Sequence, residues 1–273
     1  MRERILGSRT EVNKVLAYDR GSMPHLYAES FAPWCEKARW ALDHHGIGYR
    51  YTEHVPLVGE LGLRIAARRM TGLVTVPLLV TDDGVLMDSL AIAEWAERRG
   101  DGQPLFPEAR QPAIDRWNEQ SQQLMIAGRA MLLPRMAKHS GALREQLPPF
   151  VPGALRAPLR PLASSGVTFL MRKYGIRASD HAEHERRARE ALDGLRAALP
   201  RSTASRHLIG DALTFADVAM ATALQFVRPV DDRYIALGPA TREAWTHPAL
   251  AAEYEDLLGW RDALYARCRR SEA

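Results

Sequence analysis

Residues 25–46 read HLYAESFAPWCEKARWALDHHG, and this stretch decides the fold. His25 to Glu29 is a short segment ending in small, turn-compatible residues; it reads as a strand feeding the loop Ser30-Phe31-Ala32-Pro33. Pro33 suits the first turn of a helix, because the N–H that it lacks would have had no intrahelical partner there. Trp34, Ala38, Ala41 and Leu42 then recur at helical spacing, and Gly46 supplies the stop. The pattern predicts strand, loop and helix in direct succession.

Downstream, Ile47, Tyr49, Tyr51 and Val55 nearly alternate and predict a second strand. Pro56 to Met70 reads as a short helix with flanking loop. Residues 74–87, VTVPLLVTDDGVLM, hold a β-branched run from Val74 to Thr81, the turn Asp82-Asp83-Gly84 and the returning segment Val85-Leu86-Met87, which together predict a hairpin. Ser89 can cap a following helix, whose apolar positions Leu90, Ala93, Trp95 and Ala96 carry it to Gly100. The order is β-α-β-α-β-β-α, an α/β unit with a mixed sheet and helices on its faces.

After Gly100 the strand signals stop. Residues 102–112, with Pro104, Pro107 and Pro112, read as a linker. Helix-compatible patterns follow over 114–138, 166–174, 181–199, 215–228 and 247–269. The segment 148–161 interrupts them with five prolines in fourteen residues, too many missing donors for a regular helix. The organisation predicted is an extension (1–23), an α/β domain (24–101), the linker (102–112) and an all-helical domain (113–273). A loop as long as 148–161 either connects the helices or lines a pocket.

Composition sets the outer bounds. With 273 residues, 46% of them hydrophobic, the chain has material for two buried cores. Its net charge of +4 arises from 37 basic against 33 acidic residues, so the basic balance reflects scattered arginines; no nucleic-acid partner is implied. The terminal cluster around Cys268, Arg267 to Arg270, reads as a solvated helix end. Cys35 and Cys268 form no disulfide or metal framework, which points to the cytoplasm. Residues 1–23 lack the apolar core of a secretory signal, and no run of about 18 apolar residues predicts a membrane span. Of the histidines, His44 and His45 diverge on a helix, while His181, Glu183 and His184 lie in a charged, solvated stretch, so no metal site is expected.

Four features in this order resemble the glutathione S-transferase family. The first is Ala32-Pro33-Trp34-Cys35 with Glu36 to Arg39, similar to the family's active-site turn at the start of the first helix, although Ala32 stands where a reactive Cys or Ser commonly sits. The second is Val76-Pro77, which resembles the cis-proline position where the preceding residue's backbone pairs with the cysteinyl backbone of glutathione. The third is Asp88-Ser89, which resembles the acidic-Ser pair that receives the γ-glutamyl end. There Asp88 would attract the ammonium, while Ser89 and the helix N–H groups take the carboxylate. The fourth is Leu213 to Val218, with Thr214 and Asp217 at capping-box spacing, similar to the structural N-cap of a buried helix in the family's second domain.

The resemblance implies a thioredoxin-like domain followed by a helical bundle, covering residues 24 to 270. It also implies transfer of the glutathione thiolate, as cosubstrate, to a small hydrophobic electrophile in detoxification, by a homodimer with no metal. Helix N–H groups and a helix dipole stabilise an anion, so a thiol held at that helix start ionises below its ordinary pKa of about 8.5. Ser30 and Cys35 are the candidate catalytic residues; Pro33, Val76, Pro77, Asp88 and Ser89 are the candidate glutathione-binding residues. Two other readings stay open. Ala32 suits a non-catalytic glutathione-binding protein, and Cys35 suits glutathione-dependent thiol–disulfide exchange.

Overall fold

A computed structural model describes residues 23–147, 152, 160–199 and 207–269. The extension assigned to 1–23 lies outside them apart from Met23, and so does the proline-rich segment apart from Pro152, Arg160 and Pro161.

β1 (His25–Ala28) lies inside a four-stranded sheet of order β2-β1-β3-β4. Leu26 stands opposite Tyr51 in the parallel neighbour β2 (Arg50–Glu53) and opposite Leu79 in the antiparallel β3 (Leu78–Thr81). β4 (Gly84–Leu86) returns through the predicted turn, where Gly84 adopts φ of 132°, a conformation that favours glycine. Three helices complete the unit: α1 (Pro33–His44), α2 (Glu60–Ala66) and α3 (Ser89–Arg99). Cys35, Ala38 and Leu42 of α1 meet Leu26, Ala28, Leu79 and Ile92 in a core between sheet and helices. The predicted element order is therefore the observed one.

Three boundaries differ, each for a physical reason. The alternation from Ile47 marks burial, but pairing begins only where the chain runs beside β1, between Arg50 N–H to Pro24 O (2.8 Å) and His54 N–H to Ala28 O (2.8 Å). Val74 to Pro77 precedes the ladder, and the Val76–Pro77 bond is cis. The cap of α3 is Asp88 rather than Ser89. Asp88 keeps extended backbone angles, and its carboxylate accepts from Leu90 N–H (3.1 Å) and Ala91 N–H (3.2 Å). Ser89 is then the first helical residue, its buried hydroxyl without a hydrogen-bond partner.

Beyond β4 the described residues contain no strand. α4 (Gln111–Lys138) runs the length of the second domain and is followed by α5 (Ser140–Glu145), α6 (Arg160–Lys173), α7 (His181–Ala198) and α8 (Phe215–Ala223). α9 (Pro239–Trp245), α10 (Pro248–Glu253) and α11 (Glu255–Cys268) complete it. The sequence patterns did not foresee α5 or α9, and the single pattern over 247–269 is two helices that break at Tyr254. Every residue of α8 is buried, as a helix apolar all round requires. Its capping box is present: Asp217 accepts from the Thr214 N–H at 2.9 Å. No described helix is long and apolar enough to cross a membrane.

The helical core extends into the first domain. Trp40 and Ala41 project from α1 into the cluster formed with α4, α8 and α11. Two buried polar contacts reinforce this seam. Lys37 Nζ donates to Asn118 Oδ1 (2.9 Å) and Ser121 Oγ (3.2 Å), its pKa pulled down to about 7 chiefly by burial. Glu36 receives Arg269 at 2.8 Å and Arg39 at 2.5 Å. Burial therefore covers most of α1, and its N-terminal residues Pro33 and Trp34 face a cavity.

Candidate active site

Ala32 stands at the N-cap of α1, with extended backbone angles and a methyl group that cannot cap. No side chain occupies the N-cap role, so the first turn keeps its unpaired N–H groups and the positive end of its dipole. Across a cleft of about 280 Å³, Asp88 and Ser89 present the start of α3. Val76 and Pro77 form the wall between them. This segment precedes the β3 ladder, which begins at Leu78, so the Val76 backbone takes no part in that pairing.

Pro33, Val76, Pro77, Asp88 and Ser89, separated by up to 56 positions in sequence, thus line one cleft. The two predicted catalytic residues do not join them in that lining. Ser30 is turned toward the edge strand: its Oγ donates to Glu53 Oε1 (3.2 Å), and its N–H donates to the same oxygen (3.1 Å). Cys35 is fully buried in the sheet–helix core and accepts the Glu29 N–H at 3.3 Å. Burial, and then the neighbouring Glu29 carboxyl, push its thiol well above the ordinary cysteine range. That environment suppresses the thiolate required for nucleophilic or redox chemistry. In consequence, Cys35 is expected to escape alkylation by iodoacetamide in the native protein and to label fully in denaturant. Peptide mass spectrometry reads the difference, and equal labelling under both conditions would contradict the assignment.

The other half of the cleft is apolar and comes from the helical domain: Ile126, Leu132 and Leu133 of α4, Leu170 of α6, and Phe226 and Trp245. Its aromatic wall is stacked. Phe226 and Trp245 lie parallel, 5.4 Å apart, and Trp34 meets Phe226 edge-on at 5.8 Å. Trp34 is fixed by donating Nε1–H to Gln122 Oε1 at 2.6 Å. Trp95 and Trp117 serve packing, whereas Trp245 both packs and lines the cleft.

Two charged residues of the cleft escaped the sequence reading. Glu29, at the end of β1, has its carboxyl pushed up to about 7, first by burial and then by Glu53. Arg129, on the cleft face of α4, lies over the rings of Trp34 (4.7 Å) and Tyr174 (3.5 Å). A cation interrupting the apolar run Leu124 to Leu133 was the only signal available for it. Outside the cleft, the histidine stretch set aside in the sequence contributes differently than its spacing suggested. His181 approaches Glu185 and the distant His247, with ligand-type atoms within 4.8 Å of one another, while Glu183 pairs with Arg186 and Arg187.

Comparison with known proteins follows the same division of the chain. Residues 31–99 match the family model described as glutathione S-transferase, N-terminal domain, and residues 178–263 match that described as glutathione S-transferase, C-terminal domain. Among solved structures, a glutathione transferase from Phanerochaete chrysosporium is similar with a TM-score of 0.60 at 16% identity, over 92% of this chain and 100% of that one. A glutathione S-transferase from Methylobacterium radiotolerans, in complex with glutathione sulfonate, gives 0.57 at 18% identity, over 90% and 92%. One from Methylobacillus flagellatus, with glutathione bound, gives 0.54 at 14% identity, over 89% and 95%. At such identities the structural likeness is one of fold. No curated protein matches the chain.

Proposed function

This chain belongs to the glutathione S-transferase family, and from that premise we propose that it binds glutathione in the cleft and transfers the sulfur to a small hydrophobic electrophile. The observation that carries the reading is the convergence of two helix N-termini and the Val76–Pro77 edge on one cavity whose remaining wall is apolar. The unpaired Val76 backbone suits the cysteinyl backbone of the tripeptide, as an added strand. Asp88 suits the γ-glutamyl ammonium, and Ser89 with the start of α3 suits its carboxylate. The solved relatives holding glutathione or glutathione sulfonate support the choice of cosubstrate.

In this reading the sulfur lies at the start of α1. The thiol proton leaves to solvent, and the N–H groups and dipole of that turn hold the thiolate. The sulfur lone pair then forms the S–C bond while the leaving group departs with its electrons. Because the nucleophile belongs to glutathione, the protein supplies ionisation, placement and an apolar pocket. A depression of one pKa unit needs only about 1.4 kcal/mol. With Ala32 in place of a hydroxyl or thiol, Ser30 is the nearby hydroxyl, and it serves the sulfur only after releasing Glu53. We place the protein in the cytoplasm as a homodimer acting in detoxification, with no metal in the reaction.

A second reading rests on Ala32 itself: a protein of this family that binds glutathione without catalysis. Thiol–disulfide exchange at Cys35 finds no support in the burial of that thiol. Calorimetric titration with glutathione at millimolar concentration, followed by turnover assays across aryl halides and conjugated carbonyls, decides among them. Heat of binding with turnover is the expected result; binding without turnover selects the second reading, and absence of binding to folded protein removes both.

A further inference from the structure

Among the described residues, the apolar half of the cleft contains one cation, Arg129, and its situation is unusual. The guanidinium lies over the Tyr174 ring on α6's C-terminal side and the Trp34 ring at the start of α1, at 3.5 and 4.7 Å. It makes no ion pair with any described residue, and its buried Nε–H has no hydrogen-bond partner. Every other arginine of the domain seam that has been described above is paired. Arg39 and Arg269, for example, both hold Glu36. Among the described residues, the carboxyl whose charge bears on Arg129 is Glu29, which burial and then Glu53 push up to about 7. At neutral pH it is an incomplete counter-ion, and no hydrogen bond joins the two.

An arginine left in this state loses water without gaining an acceptor, a cost that persists until something brings one. The rings that contact the guanidinium at 3.5 and 4.7 Å restrict how it can be approached, and a polar ligand is recognised by an arginine through its N–H edge. That edge matches a carboxylate, whose two oxygens accept two parallel N–H bonds. Ile126, Leu132, Leu133 and Phe226 line the same half of the cavity, so such a ligand would have an apolar body as well.

We propose that Arg129 is the specificity residue of the second-substrate half of the cleft, and that the electrophile it selects is an apolar, aromatic or aliphatic compound bearing a carboxylate. This rests on the glutathione reading above and narrows its substrate class. It assigns Arg129 to the partner of glutathione rather than to glutathione itself, because the residue sits on α4 among the apolar side chains of the helical domain, whereas the positions suited to the tripeptide all belong to the first domain.

The test compares two product-like ligands, S-benzylglutathione and S-(4-carboxybenzyl)glutathione, by calorimetry on the full chain. The wild-type protein should bind the carboxylated adduct about tenfold more tightly, the scale of one charge-assisted contact. Arg129→Met should erase that preference, weakening the carboxylated adduct more than S-benzylglutathione, and Arg129→Lys, which keeps the charge without the fork, should retain part of it. Equal wild-type affinities, or a preference that survives in Arg129→Met, would overturn the proposal and leave glutathione binding intact. Equal weakening of both adducts by Arg129→Met would overturn it too, by placing the guanidinium against glutathione. Should Arg129→Met fail to fold by circular dichroism, Arg129→Lys decides alone: an undiminished preference overturns the assignment and a reduced one supports it. If neither adduct binds the wild type, the glutathione reading falls and this proposal with it.

Discussion

Replacing Asp88 by Asn is expected to weaken glutathione binding by about 10- to 100-fold, the loss that follows when a hydrogen bond to a charged group is reduced to a neutral one. The substitution separates two roles that the same carboxylate holds. Asp88 caps α3 through Leu90 and Ala91, and Asn caps helices as well as Asp does, so the helix start should survive. What disappears is the negative charge proposed to hold the γ-glutamyl ammonium. Calorimetric affinity measured beside the thermal melting temperature distinguishes the two effects. Unchanged affinity would remove Asp88 from the binding site, whereas a large fall in melting temperature would mean that the cap, not the charge, was disturbed. Asp88→Ala provides the contrast, losing both, with about 1 kcal/mol of additional destabilisation from the missing cap.

Glu36→Ala is expected to cost about 3–5 kcal/mol of stability, the range for removing one partner from a buried ion pair. Glu36 is fully buried and holds Arg39 at 2.5 Å and Arg269 at 2.8 Å, while Arg269 also reaches Asp43 at 2.6 Å. Its removal leaves two guanidinium groups short of an acceptor at the seam between α1 and the end of α11. Burial by itself would raise the pKa of Glu36, but Arg269 and then Arg39 outweigh it and hold the group low. A depressed carboxylate adds stability that is present above its unfolded pKa, about 4.3, and is lost as pH falls through the lower folded value. The wild type should therefore lose stability on the acid side more steeply than Glu36→Ala does. Urea denaturation between pH 3 and pH 7 reads both effects, and a cost below about 1 kcal/mol would show that the network behaves as an exposed pair.

The seam illustrates why part of the site was hidden in the sequence. Local chemistry announces itself locally: Pro33 after a polar loop, Asp82-Asp83-Gly84 between apolar runs, and Thr214 three residues before Asp217 each carry their meaning within a few residues. From these the order of elements, the two domains and the two helix starts were legible, while the cis-proline position was implied by the family resemblance. Ser89 was misassigned as a cap only because Asp and Ser serve equally and the choice depends on which residue keeps extended backbone angles. Ser30 and Cys35 differ from these. Their identity suggested chemistry, but the hydroxyl found Glu53 on the edge strand and the thiol turned into the core.

The amino-acid order by itself determined the periodicities, turns and caps, because those depend on backbone sterics and on hydrogen bonds between near neighbours. Tertiary packing decided which side chains keep water, which lose it and which charges meet. Nothing near Arg129 in the chain shows that its guanidinium will lie over Tyr174 and Trp34, 45 residues later and 95 earlier. Nor does anything near Glu36 foretell Arg269. Desolvation and long-range electrostatics are properties of the closed fold, and in this protein they set the reactivity of Cys35, the charge of Glu29 and the chemistry of the cleft.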